Sequence, residues 1–250
     1  MTEFASSLIE GESYDSIAIV GRGKLGTALS GALRAAGIDV RGPLSRSDTL
    51  GDSRVVLLCV PDAQIAAAAS AVPPGHIVAH CSGATSLAPL APHERFSLHP
   101  LLSVLASTKS FAGAACAIDA TTDRARAVAG ELAARLGMHV ITVADEARPL
   151  YHAAASVAAG GIVTVAAFAE RLMSRAGVSR AALVPLVRSA IDNWATMGAD
   201  ALTGPAVRGD DDTIRRQRTA VERADERALP FWDALTSGTR ELADGRERDA

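Results

Sequence analysis

The chain has 250 residues, and 48% of them are hydrophobic, which is enough apolar surface for one large core or for two modest domains. Its formal net charge is −3, so no overall positive field favours nucleic acid. Aromatic residues make up only 4% of the chain and leave few surfaces on which bases could stack. We therefore expect no nucleic-acid partner.

The N-terminus, the apolar runs and the cysteines indicate a cytoplasmic protein. Residues 1–15 carry four acidic side chains and lack the basic and apolar regions of a secretory signal peptide. The most membrane-like run, residues 153–168, is short and is flanked by charge, so we expect no membrane association. The three cysteines form no spaced cluster, which favours reduced thiols and argues against a metal site.

The first predicted element is an apolar strand over residues 16–20, which leads into a glycine turn and a helix over residues 24–36. The glycines of this turn have the G-x-G-x-x-G spacing of a dinucleotide-binding turn. The first permits a tight bend, the second lets the backbone approach a pyrophosphate, and the third lets the helix pack against the strand. Unpaired N–H groups at the start of the helix would bind the pyrophosphate; a purely structural turn is the alternative. The predicted cofactor contacts are Gly21, Arg22, Gly23, Lys24, Leu25 and Gly26.

The second strand, predicted over residues 38–44, ends in Leu44-Ser45-Arg46-Ser47. An NAD site usually has an acidic residue here, which binds the 2′-hydroxyl of the adenosine ribose. A hydroxyl and a guanidinium suit a 2′-phosphate instead, because arginine binds phosphate bidentately. We therefore predict NADP as the cofactor, with Ser45 and Arg46 at its 2′-phosphate. A solvated loop position for Arg46 is the alternative.

Two further strands are predicted over residues 54–60 and 76–81. The first is a near-continuous apolar run, as expected of a parallel strand that is buried on both faces. The carboxyl ends of parallel strands line the ligand crevice of a doubly wound sheet. The residues at these strand ends are therefore predicted to extend the cofactor site beside the glycine turn. They are Val60, Pro61, Ser82 and Gly83.

The alternation of strands and helices continues to residue 143. The remaining elements of this part are strands over residues 96–100, 114–118 and 138–143 and a helix over residues 122–136. The pattern predicts an α/β fold with a doubly wound, mostly parallel sheet of the Rossmann type over residues 15–146, after an N-terminal tail of residues 1–14. His99 lies at the carboxyl end of a predicted strand. It is a candidate for contact with the substrate or the nicotinamide, or for fixing the loop that follows.

Strand-like runs end near residue 146, and long helical patterns take over. The predicted helices cover residues 148–177, residues 179–202, a charged segment after Asp210, and residues 225–242. They define an all-helical C-terminal domain over residues 147–243, which binds substrate or mediates dimerisation. A charged tail of residues 244–250 is expected to fray.

Besides the glycine turn, three stretches carry a family resemblance: Ser97-Leu98-His99-Pro100-Leu101, Leu150-Tyr151-His152-Ala153-Ala154-Ala155 and Gly204-Pro205-Ala206-Val207-Arg208-Gly209-Asp210. Together they resemble a poorly characterised bacterial family that joins a Rossmann-like NADP oxidoreductase domain to a helical C-terminal domain of unknown function. That family lies within the 6-phosphogluconate dehydrogenase-like superfamily, with ketopantoate reductase and pyrroline-5-carboxylate reductase among its relatives.

The resemblance implies an NADP-dependent oxidoreductase. Hydride would move to or from a small carbonyl or imine substrate, such as the 2-oxo acid ketopantoate, in a cleft between the two domains. The helical domains of such relatives often pair, so the resemblance also implies a homodimer.

The chain departs from the better-known relatives at one point. Several of them have a lysine and an asparagine about one turn apart on the first interdomain helix. The corresponding region here offers Tyr151, His152 and Ser156, and it contains no lysine. The lysine-based mechanism is therefore not carried over, and a non-catalytic NADP-binding sensor or scaffold is the alternative function.

His152 is the first candidate for the general acid, because histidine ordinarily titrates near neutrality; packing at the domain interface is its alternative role. Tyr151 is the second candidate. Neighbouring helix positions point about 100° apart, so we expect only one of the two to face the pocket. The candidate substrate contacts are Ser156, Asn193 and Arg208. Arg208 would bind a carboxylate or phosphate bidentately, or close its own loop with a salt bridge.

Overall fold

The structure is a computed structural model and describes residues 16–249, so the predicted tail of residues 1–14 lies outside the described residues. The chain forms two compact units, which divide between Ala159 and Gly160. The first unit thus extends beyond residue 146, where the sequence predicted the end of the Rossmann domain, and includes the helix that follows.

The first unit contains a seven-stranded sheet. Its strands are β1 (Ser16–Val20), β2 (Asp39–Leu44), β3 (Val55–Leu58), β4 (Ile77–His80), β5 (Glu94–Leu101), β6 (Ala115–Ala120) and β7 (His139–Ile141). They are arranged in the order β2-β1-β3-β4-β5-β6-β7. All neighbours are parallel except β5 and β6, which pair antiparallel. The predicted α/β fold with a mostly parallel sheet is confirmed.

The central strands of the sheet are buried on both faces, which explains their continuous apolar runs. In β1, Ile17 and Ile19 face one apolar core, while Ala18 and Val20 face a second core on the other side of the sheet. All four residues of Val55–Leu58 are buried. Because side chains alternate between faces along a strand, one apolar run supplies both cores.

The helices of the first unit are α1 (Lys24–Ala35), α2 (Ile65–Ser70), α3 (Asp123–Arg135) and α4 (Arg148–Ser156). Residues of α1 and α3 belong to the core on one face of the sheet, and residues of α2 belong to the core on the other. The start of α3 is capped by Thr122, whose hydroxyl accepts a hydrogen bond of 3.0 Å from the N–H of Ala125. The end of α3 is followed by Gly137, whose φ of +69° lies in the left-handed region that favours glycine.

Residues 160–249 of the second unit form helices and connecting turns only, as the sequence predicted. The helices are α5 (Ile162–Arg175), α6 (Arg180–Met197), α7 (Asp211–Ala224) and α8 (Leu229–Asp249). A small core surrounds Phe168, whose ring lies edge-on to that of Phe231 at a centroid distance of 4.9 Å. Helix α8 continues through most of the segment predicted as a fraying tail, and Ala250 lies outside the described residues.

Helices α4 and α5 are joined by a π-helical turn, Val157–Gly161, and form one helical run with the turn that precedes α4. Within the described residues, this run (Asp145–Arg175) is the one helix that length and composition alone would allow to cross a membrane, with a mean hydropathy of 1.6 over its most apolar window. Only 6% of that window is buried, and length and hydropathy alone do not assign the run to a bilayer.

Candidate functional site

The glycine turn after β1 has a backbone that admits only glycine at two positions. Gly21 has a φ of +122°, and a Cβ on it would lie 2.1 Å from the carbonyl oxygen of Cys59. A Cβ on Gly26 would lie 2.0 Å from the carbonyl oxygen of Gly21. Both distances are far below van der Waals contact, so α1 approaches the turn and the residue after β3 more closely than any side chain would allow. These are the structural roles expected of the first and third glycines of such a turn.

The start of α1 offers an open site for an anion. Gly23 is exposed, and a Cβ on it would meet no described atom within 4 Å. Among the described residues no side chain caps α1, and the first turn of the helix carries no acidic residue. The N–H groups at a helix N-terminus carry partial positive charge and need acceptors. The space and the donors therefore fit a pyrophosphate that passes over Gly23.

Three of the predicted cofactor contacts are apolar. Leu25 packs partly against the core, which leaves its backbone N–H as the group that faces the helix end. Val60 is also half-buried, and Pro61 is exposed where a 3₁₀ turn (Asp62–Gln64) begins. Pro61 is therefore the one of the three whose side chain a ligand can reach directly.

The loop after β2 places Ser45 and Arg46 in different surroundings. The backbone N–H of Ser45 donates to the Asp48 carboxylate over 2.7 Å, and Nη2 of Arg22 donates to the same oxygen, also over 2.7 Å. Arg46 instead donates to Oε1 of Gln64 over 2.7 Å. The structure thus brings Ser45 and Arg22 together around the Asp48 carboxylate, which was not among the sequence candidates. Asp48 could have been recognised as the acidic residue in the loop after the second strand.

The loop after β4 is held in place by its own polar groups. The Ser82 hydroxyl donates to the Asp62 carboxylate over 2.8 Å and accepts from the N–H of Thr85 over 3.0 Å. Beneath it, the wholly buried His80 accepts from the N–H of Ser82 at Nδ1, which leaves Nε2 to donate to the carbonyl of Ser86 over 3.0 Å. The Ser82 hydroxyl therefore shapes the rim of the sheet, and His80 supports it from inside.

Gly83 lies against two imidazole rings. A Cβ on Gly83 would stand 2.7 Å from Cε1 of His99 and 3.0 Å from Cδ2 of His152, so only glycine permits this approach. The hydroxyl of Tyr151 is 2.8 Å from Nδ1 of His99. The ring of His99 is edge-on to both Tyr151 and His152, at centroid distances of 5.5 and 6.2 Å. Contrary to our expectation, neighbouring residues 151 and 152 both face the same group, because His99 lies between their directions.

The protonation of this cluster follows from its burial. Burial lowers the pKa of His99 to about 4, with the charges of His152 and Arg148 acting in the same direction. Burial raises the pKa of Tyr151. At neutral pH the imidazole of His99 is therefore neutral, and the protonated Tyr151 donates to Nδ1. The remaining ring proton of His99 then sits on Nε2, the nitrogen that faces Gly83.

Arg148 connects the helix and the strand that carry this cluster. Its side chain is 2% exposed, and its Nε donates to Asp145 over 2.7 Å. Its Nη2 lies 3.3 Å from the Ser97 hydroxyl and 3.4 Å from the Asp119 carboxylate, two residues that face each other across β5 and β6. A buried charge needs such partners, since an unpaired one would cost several kcal/mol (about 3–5 in measured cases). Arg148 was missed by the sequence analysis as a functional residue.

Ser156 lies in α4, the helix that carries Tyr151 and His152, and is the one substrate-contact candidate in the first unit. The Ser156 hydroxyl donates to the carbonyl of His152 within α4, over 2.9 Å. Asn193 is exposed on α6, and Arg208 is exposed in the loop before α7. Among the side chains that the structure describes, in residues 16–245, no group of three or more His, Cys, Asp or Glu is placed to hold a metal ion.

Family comparison assigns the chain to a known family. A family model described as "Domain of unknown function (DUF2520)" matches residues 114–239, which is half of the chain, and the chain belongs to this family. The predicted membership of a poorly characterised family with a helical C-terminal domain of unknown function is confirmed. None of the curated proteins compared with the chain matches it.

Solved structures share the fold over most of the chain. A Bacteroides fragilis protein provisionally named an NADP oxidoreductase, BF3122, is 17% identical with a TM-score of 0.80, over 91% of this chain and 98% of that one. Protein TM1727 of Thermotoga maritima is 21% identical with a TM-score of 0.79, over 91% and 99%. A reductive aminase of Aspergillus terreus, in complex with NADPH and ethyl levulinate, is 18% identical with a TM-score of 0.62, over 95% of both chains. At these identities the likeness establishes the fold.

The burial of His99 and His80 predicts a stability that falls in mild acid. Burial lowers the pKa of both from the usual 6.5, that of His99 to about 4. Between pH 6.5 and about 4 the unfolded chain binds protons that the folded chain does not, so stability is full above this window and is lost as the pH falls. A His99→Asn variant, whose amide replaces Nδ1, should lose less stability than the wild type between pH about 7 and about 5.

The measurement is the midpoint of unfolding in urea at each pH, for the wild type, for His99→Asn and for a His76→Asn control at a half-buried position outside the cluster. The control should follow the wild type. Parallel loss in His99→Asn and the wild type would show that His99 does not titrate abnormally.

Proposed function

We propose that the chain is an NADP-dependent oxidoreductase that transfers hydride to or from a small carbonyl or imine compound. The observation that carries this proposal is an open glycine turn on the same sheet edge as the cluster of His99, Tyr151 and His152. Two proteins with this fold support it by their names, one as an NADP oxidoreductase and one as a reductive aminase in complex with NADPH.

The order of the strands supports the cofactor assignment. β1, β3, β4 and β5 are parallel neighbours, so the glycine turn after β1, Gly83 after β4 and His99 near the end of β5 lie along one edge. The distance from β1 to β5 is three inter-strand spacings, about 14 Å. A dinucleotide with its pyrophosphate on α1 would extend along this edge and bring its nicotinamide to Gly83. When bound, the nicotinamide supplies or accepts the hydride.

The side chains at Gly83 would supply the proton that accompanies hydride transfer. Tyr151 is a weak acid because its pKa is raised, and its hydroxyl proton is engaged by His99. His152 is therefore the better donor to a carbonyl oxygen or an imine, since its ring lies against Gly83 and histidine is the side chain most often used as a general acid. The Tyr151–His99 pair orients the neutral imidazole, whose Nε2–H would donate to the polar atom of the substrate. Ser156, Asn193 and Arg208 stay predicted substrate contacts, with exposed Arg208 suited to a carboxylate.

The open space at Gly23 predicts that a side chain at this position weakens dinucleotide binding. The wild type should bind NADPH with a submillimolar dissociation constant, and NADH more weakly. Gly23→Ala should fold normally but weaken NADPH binding about tenfold or more, because its Cβ fills the open space and displaces phosphate from its N–H donors. Isothermal titration calorimetry measures both.

The matched control is Gly31→Ala, which makes the same change at an exposed position within α1 where a Cβ also meets no described atom. Its affinity should equal that of the wild type. No binding of either dinucleotide to the wild type would contradict the cofactor assignment, and tighter binding of NADH would contradict the assignment of NADP.

The roles proposed for His152 and Tyr151 predict losses of turnover of different size when each residue is replaced. In a panel of 2-oxo acids and cyclic imines, including ketopantoate, His152→Ala should lower NADPH oxidation about 10²–10⁴-fold, the usual effect of losing a general acid. Tyr151→Phe should lower it less, since it removes only the hydrogen bond to His99. Both variants should retain NADPH affinity.

His76→Ala is the control for these variants, since the half-buried His76 lies just before β4, at the opposite end of that strand from the carboxyl-end rim. Unchanged turnover in both His152→Ala and Tyr151→Phe would remove these residues from the mechanism. Tight NADPH binding without turnover on any member of the panel would favour the alternative function, a non-catalytic NADP-binding sensor or scaffold.

The second unit supports a homodimer as part of this proposal. Large apolar side chains of α5 and α6 are exposed, and they are Ile162, Val163, Val165, Leu186, Ile191, Trp194 and Met197. On α6 these side chains fall on one side of the helix at 100° per residue, and an exposed apolar face of this kind usually marks an interaction surface. A second copy brings the same surface, so a two-fold symmetric contact would cover both.

Sedimentation equilibrium should therefore give twice the mass of one chain for the wild type without detergent. Trp194→Asp should shift the protein toward the monomer, because Trp194 is 65% exposed in the isolated chain and its replacement adds two unpaired charges to the dimer contact. Thr219→Asp, which adds the same charge on α7, should leave the mass unchanged. A monomeric wild type would contradict the dimer, and a requirement for detergent would favour a membrane.

A further inference from the structure

The loop after β2 contains an internal anion bound by groups that suit a phosphate. One oxygen of the Asp48 carboxylate accepts from the N–H of Ser45 and from Nη2 of Arg22, each over 2.7 Å. Arg22 lies in the glycine turn and also approaches the carbonyl of Pro43 at 3.4 Å. The ion pair therefore links the pyrophosphate turn to the end of β2, where a Rossmann fold binds the adenosine ribose.

The charge of Asp48 is stabilised by these donors. Hydrogen bonds from Ser45 lower the pKa of Asp48, and the Arg22 charge acts in the same direction. Both partners remain accessible, with the Arg22 side chain 63% and the Asp48 side chain 35% exposed. A ligand can therefore reach every member of this group without unfolding of the loop.

Both of these donors also suit a phosphate monoester, because a backbone N–H and a guanidinium donate to phosphate oxygens as well as to a carboxylate. The Ser45 hydroxyl, which is 3.1 Å from the Ser47 hydroxyl, is a third group that can donate to a phosphate there. A dianionic phosphate and a carboxylate close to each other repel, so both cannot occupy one donor set at full strength. Arg46, bonded to the neutral Gln64 amide, is available to either anion at little cost.

We propose that the Asp48 carboxylate competes with the ribose 2′-phosphate for Ser45 and Arg22 and thereby sets the preference of the chain between NADPH and NADH. This inference rests on the proposed binding of NADP. Binding of the phosphate turns Arg22 and the Ser45 N–H from Asp48 to the phosphate oxygens, and Asp48 moves toward solvent. NADH, which lacks the phosphate, leaves the Asp48 contacts in place.

The test compares Asp48→Asn with Asp52→Asn, which removes the same charge from a nearby exposed position of the chain. Calorimetric titrations with NADPH, NADH, adenosine 2′,5′-bisphosphate and adenosine 5′-monophosphate give the affinity for each without reference to turnover. Asp48→Asn should bind NADPH and the bisphosphate about tenfold tighter than the wild type does, the scale of one charge-assisted hydrogen bond. Its affinity for NADH and the monophosphate should stay the same.

Three results would overturn the inference, and they are distinguishable. Weaker NADH binding by Asp48→Asn, with NADPH unchanged, would show that Asp48 binds the ribose hydroxyls. Equal gains in Asp48→Asn and Asp52→Asn would show a general effect of charge rather than competition for Ser45 and Arg22. Unchanged NADPH binding in Asp48→Asn would overturn this inference alone, whereas a wild type and variant that bind neither dinucleotide would overturn the proposed function as well.

Discussion

The buried guanidinium of Arg148 is the constraint on which the candidate catalytic cluster depends. Its side chain is 2% exposed, so its charge must be met by Asp145, Asp119 and Ser97, and these contacts fix the first turn of α4 against β5 and β6. Residues three and four positions along a helix share its face, so Tyr151 and His152 follow Arg148 toward the sheet. His99 stands two residues after Ser97 in β5 and therefore on the same face of the strand.

Most of the fold of the first unit was predictable, because patterns of neighbouring residues in the sequence indicate its strands and turns. Continuous apolar runs indicated strands covered on both faces, and glycine spacing located the turn after β1. The antiparallel pairing of β5 with β6 was not predicted, because strand direction depends on contacts distant in sequence. The unit boundary also differed, since the helical pattern of α4 is local whereas its attachment through Arg148 is not.

The candidate site was predictable in its residues and less so in its arrangement. The hydrogen bond between His99 and Tyr151 joins residues 52 positions apart, and no local periodicity indicates it. The expectation that only one of Tyr151 and His152 would face the pocket considered their separation from each other and not a group lying between them. Asp48 was missed because only the residues at the strand end, and not those further along the loop, were considered as neighbours of Ser45 and Arg22.

We propose that one edge of the sheet binds the whole dinucleotide, with the nicotinamide at the cluster of His99, Tyr151 and His152. A crystal structure of the chain with NADPH tests this most directly. We expect the pyrophosphate at the N-terminus of α1 and the nicotinamide in van der Waals contact with Gly83, within about 4 Å, facing His99 and His152. A nicotinamide that points away from Gly83, or a pyrophosphate bound elsewhere than at Gly23, would contradict it.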